Sequence, residues 1–421
     1  MLILRLAWRS FVRHRRRSMI TGAAIAFGLA MMIFFVGLAD DGHMRMANMG
    51  IRLGSGHVLV QGKGYEQSQS LDSVIANPAP IMAAARSIDG VEHVVQRVRT
   101  SGLLSSGEFS SAVAVSAVDP KAEPGASDIA SADARVKGKY LRPRNQQRMQ
   151  NAPADIYVGE TLAKTLALRL DDRVVLTMSP RGSSRPTSAA FRVRGIFHTG
   201  ISELDGFYVE IPLSEGQRLL GLGKAVTQVA VLIDQLDDAD RVAASLRAKL
   251  ADNPDVQVLT WKQGLRQLYE AILLDDLGMY LMMAIIFVIV AIGIFNTVLM
   301  SVVERTRELG VMMAIGTSAK RLFATVLVEA LVLAVVSAVV GLALGLGIHL
   351  WVSSHGIDMA ALYGEDVEMA GIILKGKIYS KLSAYVVTKW TVIVIGIVLV
   401  SAIYPAWRAS RLKPVEAMRH V

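Results

Sequence analysis

Four stretches of this chain are long and apolar enough to require a bilayer rather than a protein core. They are Met19–Ala39 (MITGAAIAFGLAMMIFFVGLA), Met279–Val303, Leu322–Trp351 and Tyr385–Trp407. A helix that crosses the hydrocarbon layer needs about 20 consecutive apolar residues, and no other window approaches that. The first stretch exceeds the roughly 7–15 apolar residues of a secretory leader's core, so it reads as a retained span. Composition agrees: 52% of the chain is hydrophobic and only 19% charged.

Lysine and arginine in the short flanks set the orientation. Arg5, Arg9, Arg13, Arg15, Arg16 and Arg17 precede the first span. Arg305, Arg307, Lys320 and Arg321 separate the second from the third, and Arg408, Arg411, Lys413 and Arg419 follow the fourth. These flanks are expected inside, which places residues 40–278 and the short loop 352–384 outside. The basic N-terminus, residues 1–18, carries arginines on one helical stripe and Leu4, Trp8 and Phe11 on another, the pattern of a helix lying on the inner leaflet. Membrane lipids are therefore expected partners. The net charge of +9 sits beside the apolar runs and not in an aromatic-interleaved groove, so no nucleic-acid partner is expected.

Residues 40–278 contain two similar passages. HVLVQ (His57–Gln61), a helical stretch around IMAAARSI and the alternating run VEHVVQRVRT form the first, within residues 52–101. TQVAVLI, DADRVAASLRAKL and VQVLTW form the second, within residues 226–261. Each reads as strand–helix–strand, and two such units pair naturally into one split α/β sheet. Residues 102–225 read as a mostly β insertion broken by Gly, Pro and Ser, with PRGSSRPTS at a hairpin tip. From Trp261 to Val303 a single long helix is expected, a stalk running into the second span, with Gly42–Ile51 as its partner. The fold class is thus an α-helical membrane protein with four transmembrane helices plus an α+β extracytoplasmic domain.

Enzyme motifs are missing. There is no H-E-x-x-H and no G-x-S-x-G, and with no cysteine there is no disulfide, thiolate metal site or cysteine nucleophile. GIILKGKI (Gly371–Ile378) matches the glycines and lysine of a phosphate loop, but Ile378 replaces the magnesium-binding hydroxyl. No catalytic residue, bound cofactor or metal is expected on this chain. Polar groups within the spans are more telling. Asn296 lies deep in the second, and Glu329 in the third, where it reads as pairing with an arginine near the inner face or as part of a transport path. Gly341 and Gly345, in GLALGLG, provide a small face for close helix packing.

The segment ERTRELGVMMAIGTSAKRL, Glu304–Leu322, is the remaining question. Its charges cannot lie in hydrocarbon, and it is too short to be a domain. Gly310 and Gly316 bracket a brief helix, with Leu309, Met312 and Met313 as an apolar stripe offered to a cytoplasmic partner. The alternative is an inert amphipathic turn.

This segment resembles the coupling helix of FtsX/MacB-type ABC transporter permeases. YPAWRASRLKPVEAMRH (Tyr404–His420) resembles the family's C-terminal pattern, and GHVLVQGKGYEQSQSLD (Gly56–Asp72) is similar to its lipoprotein-releasing LolC/LolE-like branch. Met313 departs from the family's usual basic residue and Met418 from its leucine. The resemblance implies a cytoplasmic segment, residues 304–321, whose Glu304, Arg305, Arg307, Glu308, Gly310, Ala314 and Gly316 couple the permease to a cytoplasmic ABC ATPase dimer. ATP and magnesium would sit on that ATPase and not here. It further implies spans at 19–39, 279–303, 322–351 and 385–407, a cytoplasmic tail at 408–421, and a second permease as homo- or heterodimer partner. The strand–helix–strand units correspond to a porter subdomain in the periplasm. The location implied is a bacterial inner membrane. The activity implied is ATP-driven extraction of lipoproteins or related amphiphiles toward a periplasmic carrier. Other members export periplasmic substrates, or transmit force to cell-wall hydrolases without transport.

Overall fold

The computed structural model describes residues 15–143, 152–183, 185–358, 367–369, 372–374 and 377–412. The expected N-terminal helix (1–18) lies mostly outside them, as do most of the Gly371–Ile378 loop and residues 413–421 of the C-terminal pattern. Two compact units emerge. One draws on the described residues of Met1–His43, Leu273–Asp358 and Lys377–Val421, the other on those of Met44–Ile272 and Met359–Gly376.

The first unit is helical. Helix α1 spans Arg15–Gly50. Three later long helices, Arg266–Glu304, Ala319–His355 and Ala384–Ser410, complete four that are long and apolar enough to cross a membrane. Their shared core gathers Ile25, Leu29 and Ile33 of α1 with Ile294, Val298, Ala334, Ala338, Val398 and Ala402. Close approach depends on missing side chains. A Cβ on Gly341 would stand 2.8 Å from the Ala26 carbonyl oxygen and 3.1 Å from the Leu29 Cβ, and one on Gly345 would stand 3.0 Å from Ile33 Cδ1. The two glycines sit one helical turn apart and let two backbones touch, which is how spanning helices associate when lipid already solvates their apolar surface. Thr21 and Thr297 share a hydrogen bond of 2.9 Å nearby. Outside this core, His43 Nε2 meets Asp275 Oδ2 at 2.8 Å, and Lys381 approaches the buried Asp41 at 3.6 Å.

The second unit is built on strands β1 (Val58–Gly62), β2 (Val91–Ser106), β3 (Phe109–Val118), β4 (Arg135–Gly138), β5 (Ala154–Gly159), β6 (Arg173–Met178), β7 (Thr187–Phe197), β8 (Tyr208–Pro212), β9 (Gln228–Ile233) and β10 (Val256–Thr260). Their order is β10-β1-β9-β2-β3-β8-β5-β7-β4, with β6 joining both β2 and β7. The four strands of the two sequence passages form one antiparallel ladder, β10-β1-β9-β2. Helices α2 (Tyr65–Ser68), α3 (Ala79–Arg86), α4 (Glu160–Thr165), α5 (Ser202–Phe207), α6 (Leu213–Leu219) and α7 (Ala239–Lys249) attend the strands. Ile81 and Ala85 of α3 and Val242 and Leu246 of α7 join one core with Val58, Val60, Val229 and Val231. The alternate residues Leu59, Ala230 and Leu232 are buried in a second cluster, so β1 and β9 are covered on both faces.

The rest closes on itself. β2 pairs β3, β3 pairs β8, β8 pairs β5, β5 pairs β7, β7 pairs β6, and β6 returns to β2. Six strands in a ring remove the exposed edges an open insertion would carry. Leu104, Val113, Val115, Ile156, Val158, Leu176, Phe191, Val193 and Val209 are buried with this ring. The boundary expected at residue 102 therefore falls inside β2, which changes neighbour along its length. Residues 91–97 pair with β9, and 102–105 pair with β6. Gly102 marks the change: a Cβ there would stand 3.0 Å from the Thr177 carbonyl oxygen.

The single helix expected from Trp261 to Val303 is broken. Helix α8 covers Trp261–Gly264, Leu265 leaves the helical region, and α9 runs Arg266–Glu304. Thr260 and Gln263 form a capping box that starts α8. Its satisfied donors fix a separate short turn rather than a continuous rod. The expected pairing of Gly42–Ile51 with this region has close points at both ends: His43 meets Asp275 at 2.8 Å, and Gly50 lies so near Leu268 and Leu265 that an added Cβ would stand 2.7 and 3.0 Å from their methyls.

Candidate functional site

Helix α9 ends at Glu304, and one residue, Arg305 (φ −102°, ψ 12°), turns the chain into α10, Thr306–Ala314. Ladder bonds continue across the turn: the Arg305 N–H donates to Ser301, and the Leu309 N–H donates to the Arg305 carbonyl at 2.9 Å. The far end is stopped by Gly316 at φ +102°. The Thr317 N–H donates to Met312 and the Gly316 N–H to Met313, both at 3.0 Å. This double closure satisfies the last carbonyls and needs a residue free to adopt positive φ, hence glycine. Ser318 is extended (φ −71°, ψ 150°), and α11, Ala319–His355, begins after it.

Arg305 ties the corner together. Its Nη1 donates to both carboxylate oxygens of Glu329 on α11, at 3.0 and 2.9 Å, and its Nε donates to Glu308 at 3.1 Å. The Arg305 and Glu329 side chains are 20% and 19% exposed. One guanidinium nitrogen shared between both carboxylate oxygens, with Nε held by Glu308, makes a charge-assisted anchor for this corner. One side chain thus joins α10 to α11 at the end of α9. Glu329 is engaged in this pair, the structural role weighed from its sequence position.

The outward face of α10 differs from the expected one. Leu309 is buried, Gly310 is buried, and Met312 and Met313 pack against the helical core. The stripe read as facing a partner instead seats the helix on the bundle. Arg307, Glu308, Val311 and Ala314 are exposed, and Ile315 is 81% exposed. The physical reason is area: Leu309, Met312 and Met313 bury more apolar surface against the bundle than Val311, Ala314 and Ile315 would. Ile315 was missed because it stands outside that stripe, and its only sequence signal is an apolar residue directly before a helix-ending glycine. Glu304 is exposed at the end of α9. Asn296 is exposed on α9, in a shallow groove with Thr297, Met300, Val303 and Glu304, away from Glu329 and Arg305. Gly341 and Gly345 are contact points with α1, remote from α10 in sequence and role.

The second unit holds a buried charged cluster that sequence reasoning did not find. Arg97, Glu123 and Glu210 are each 1% exposed. Arg97 donates to Glu123 and to the Gly54 carbonyl, while Tyr140 donates to Glu210 at 2.8 Å. Burial, and then the neighbouring Glu123 charge, push the Glu210 carboxyl well above the usual carboxylate range. Burial pushes the Tyr140 hydroxyl up as well, so it remains a donor. His57 is buried where β1 begins, and burial lowers it to about 4. Its Nδ1 accepts from the Ile233 N–H at 3.2 Å, which requires the neutral ring. Among the described residues no cluster of three or more metal-ligating side chains occurs.

Four helices able to cross a bilayer, a β-rich unit inserted after the first and a charged two-turn helix between the second and third define a multi-span membrane protein with one large domain beside the membrane. The model of the MacB-like periplasmic core domain matches residues 18–249, and that of the FtsX-like permease C-terminal matches residues 280–414. The chain belongs to the FtsX/MacB-type ABC transporter permeases. The lipoprotein-releasing system transmembrane protein LolC of Xylella fastidiosa (strain Temecula1) is 22% identical over 97% of each chain. The macrolide export ATP-binding/permease protein MacB of Sodalis glossinidius is 24% identical over 99% of this chain and 60% of its own. The periplasmic region of MacB from Actinobacillus actinomycetemcomitans aligns with 52% of this chain and 95% of its own, at 15% identity and a TM-score of 0.33.

Proposed function

We propose that this chain is the non-catalytic permease subunit of an ATP-driven complex that extracts lipoproteins or related amphiphiles from the outer leaflet of the bacterial inner membrane. The observation that carries the reading is the likeness to LolC along 97% of both chains. In this reading α10 seats in a cytoplasmic ABC ATPase dimer through Arg307, Glu308, Val311, Ala314 and Ile315. Arg305 passes displacement of α10 to α11 through Glu329, and the Gly316 turn holds the angle. ATP and magnesium belong to the ATPase. A second permease and a periplasmic carrier complete the assembly. The match to the MacB-like periplasmic core favours a second reading, export of a periplasmic substrate. Force transmission to cell-wall hydrolases remains the non-transporting form of the same machine.

The test is release. Proteoliposomes holding the permease, its ATPase and a tagged lipoprotein should deliver the tag to a soluble carrier only with ATP. Ile315→Asp should abolish co-elution with the ATPase while leaving the permease folded, because surface changes away from special features shift stability by only about 0.5 kcal/mol. Gly316→Pro should do the same, since proline cannot adopt the φ of +102° found there. Absence of ATP-dependent release to any carrier would reject the lipoprotein reading. ATPase binding that both variants leave intact would reject the coupling role of α10.

A further inference from the structure

Two arginines stand on the same face of β2, and they differ in one respect. Arg97 is wholly engaged by Glu123 and the Gly54 carbonyl. Arg99, two residues on, is half-buried, and among the described residues no carboxylate lies within salt-bridge distance of its guanidinium. Its backbone is tightly held: the N–H donates to Thr227 Oγ1 at 2.9 Å, and the carbonyl accepts from the Tyr65 hydroxyl at 2.7 Å. The strand fixes where the side chain starts, and the five guanidinium donors are left for something else. A cation partly withdrawn from water without a counter-charge is unfavourable.

Arg99 lines a cavity of about 710 Å³, in the size range of small-molecule sites, which run from about 300 to 1,000 Å³. Gly54, at φ +126°, leaves room beside it: a Cβ there would stand 3.3 Å from Arg99 Nη2 and 3.7 Å from the Tyr208 hydroxyl. Gln61 also lines this end, beside Gln228, whose amide nitrogen donates to the Gly54 carbonyl at 3.3 Å. Beyond β3 the lining turns apolar with Leu204 and Phe207, and Phe207 is 44% exposed although it is large and aromatic. Glu66 is the one acidic residue of the lining, and it is exposed. The cavity thus has a cationic, hydrogen-bonding end and a greasy end.

We infer that this cavity binds a small anionic amphiphile, with its carboxylate or phosphate on Arg99 and its short apolar chain along Leu204 and Phe207. The inference concerns the second unit alone and stands whichever cargo the permease handles. A fatty carboxylate and a phospholipid head offer Arg99 the same planar or tripodal oxygens, so the experiment separates them. The full chain in neutral phosphatidylcholine nanodiscs is photolysed with a diazirine-bearing octanoate, and the adducts are mapped by peptide mass spectrometry. Adducts are expected on residues 204–208 and 112–115. Competition by octanoate alone identifies a fatty carboxylate, and competition by dihexanoylphosphatidylglycerol identifies a lipid phosphate. Arg99→Gln should cut the yield at least tenfold, and Arg99→Lys should restore part of it. Leu204→Trp, which fills the apolar end, should also abolish labelling and guards against misfolding of the arginine variants. Labelling spread over the spanning helices only, unchanged labelling in Arg99→Gln, or equal competition by neutral octyl glucoside would overturn the proposal.

Discussion

Replacing Glu329 by leucine removes the carboxylate that accepts two hydrogen bonds from Arg305 and strands part of that cation's pairing at the end of α9, where Glu308 is itself exposed. Breaking a buried ion pair from one side costs about 3–5 kcal/mol. Here both side chains keep about a fifth of their exposure, and solvent screening reduces the loss, so roughly 2 kcal/mol is the expected destabilisation of Glu329→Leu. Arg305→Met should cost a similar amount, since it strands the carboxylate on α11. The double variant should lose much less than the sum, because replacing both partners by apolar side chains of similar size is often close to neutral. A double-mutant cycle, read by denaturant unfolding in lipid nanodiscs, should therefore give a coupling of about 1–3 kcal/mol. Glu308→Gln is the internal control: Glu308 is 52% exposed, and surface pairs contribute about 0–1 kcal/mol. If the single losses simply add, the guanidinium does not lock α10 to α11, and the proposed transmission through this corner fails with it.

Three further outcomes follow from contacts elsewhere. In the unfolded chain His57 titrates near 6.5 and in the fold near 4, so between those values only the unfolded state takes up the proton; stability is intact above pH 6.5 and falls toward pH 4, by roughly 3 kcal/mol in all, and His57→Gln should flatten that limb of a pH-dependent unfolding series. Glu210 shows the opposite sign: its raised carboxyl holds a proton that the unfolded chain releases, so the fold gives up stability as pH climbs from the usual glutamate range through the raised value. Glu210→Gln should unfold at higher denaturant than the parent in alkaline buffer and alike in mild acid. Gly341→Leu should destabilise the helical unit by about 1–3 kcal/mol through overpacking on α1, whereas Gly347→Leu, with nothing within 4 Å of its added Cβ, should leave the unfolding midpoint in place.

The four spanning helices were legible because apolar run length has few alternative meanings once it exceeds a protein core's needs. The strand–helix–strand passages were legible for a similar reason, since period 2 gives way to period 3.6 inside each. The closed ring was not. Alternation in VEHVVQRVRTSGLLSS marks a strand without naming its neighbour, and β2 exchanges β9 for β6 partway along. The break at Leu265 was readable in principle, because Thr260-x-x-Gln263 is a capping box, but the apolar spacing beyond it read as one helix. On α10 both faces carry apolar residues, so pattern alone did not decide whether Met312 or Ile315 pointed outward. Glu329's partner was foreseen as an arginine near the inner face, because an acid at that depth has few options. Arg97, Glu123 and Glu210 were invisible as a cluster, since their separations follow no helical or strand period.

Strand β1 is the first strand of the ten-stranded sheet and β10 the last, and the two lie side by side, with Val58 opposite Thr260 and Gly62 opposite Val256. The chain therefore joins and leaves the sheet at the same end of one ladder. Tension drawing residue 58 away from residue 260 would load the hydrogen bonds one after another, as a zipper is pulled, and not all together in shear. Zippers yield at low force. The contact of Gly50 beneath Leu265 and Leu268 lies just before that end and would take the strain first. Motion of the two connecting segments in concert would not load the ladder in this way.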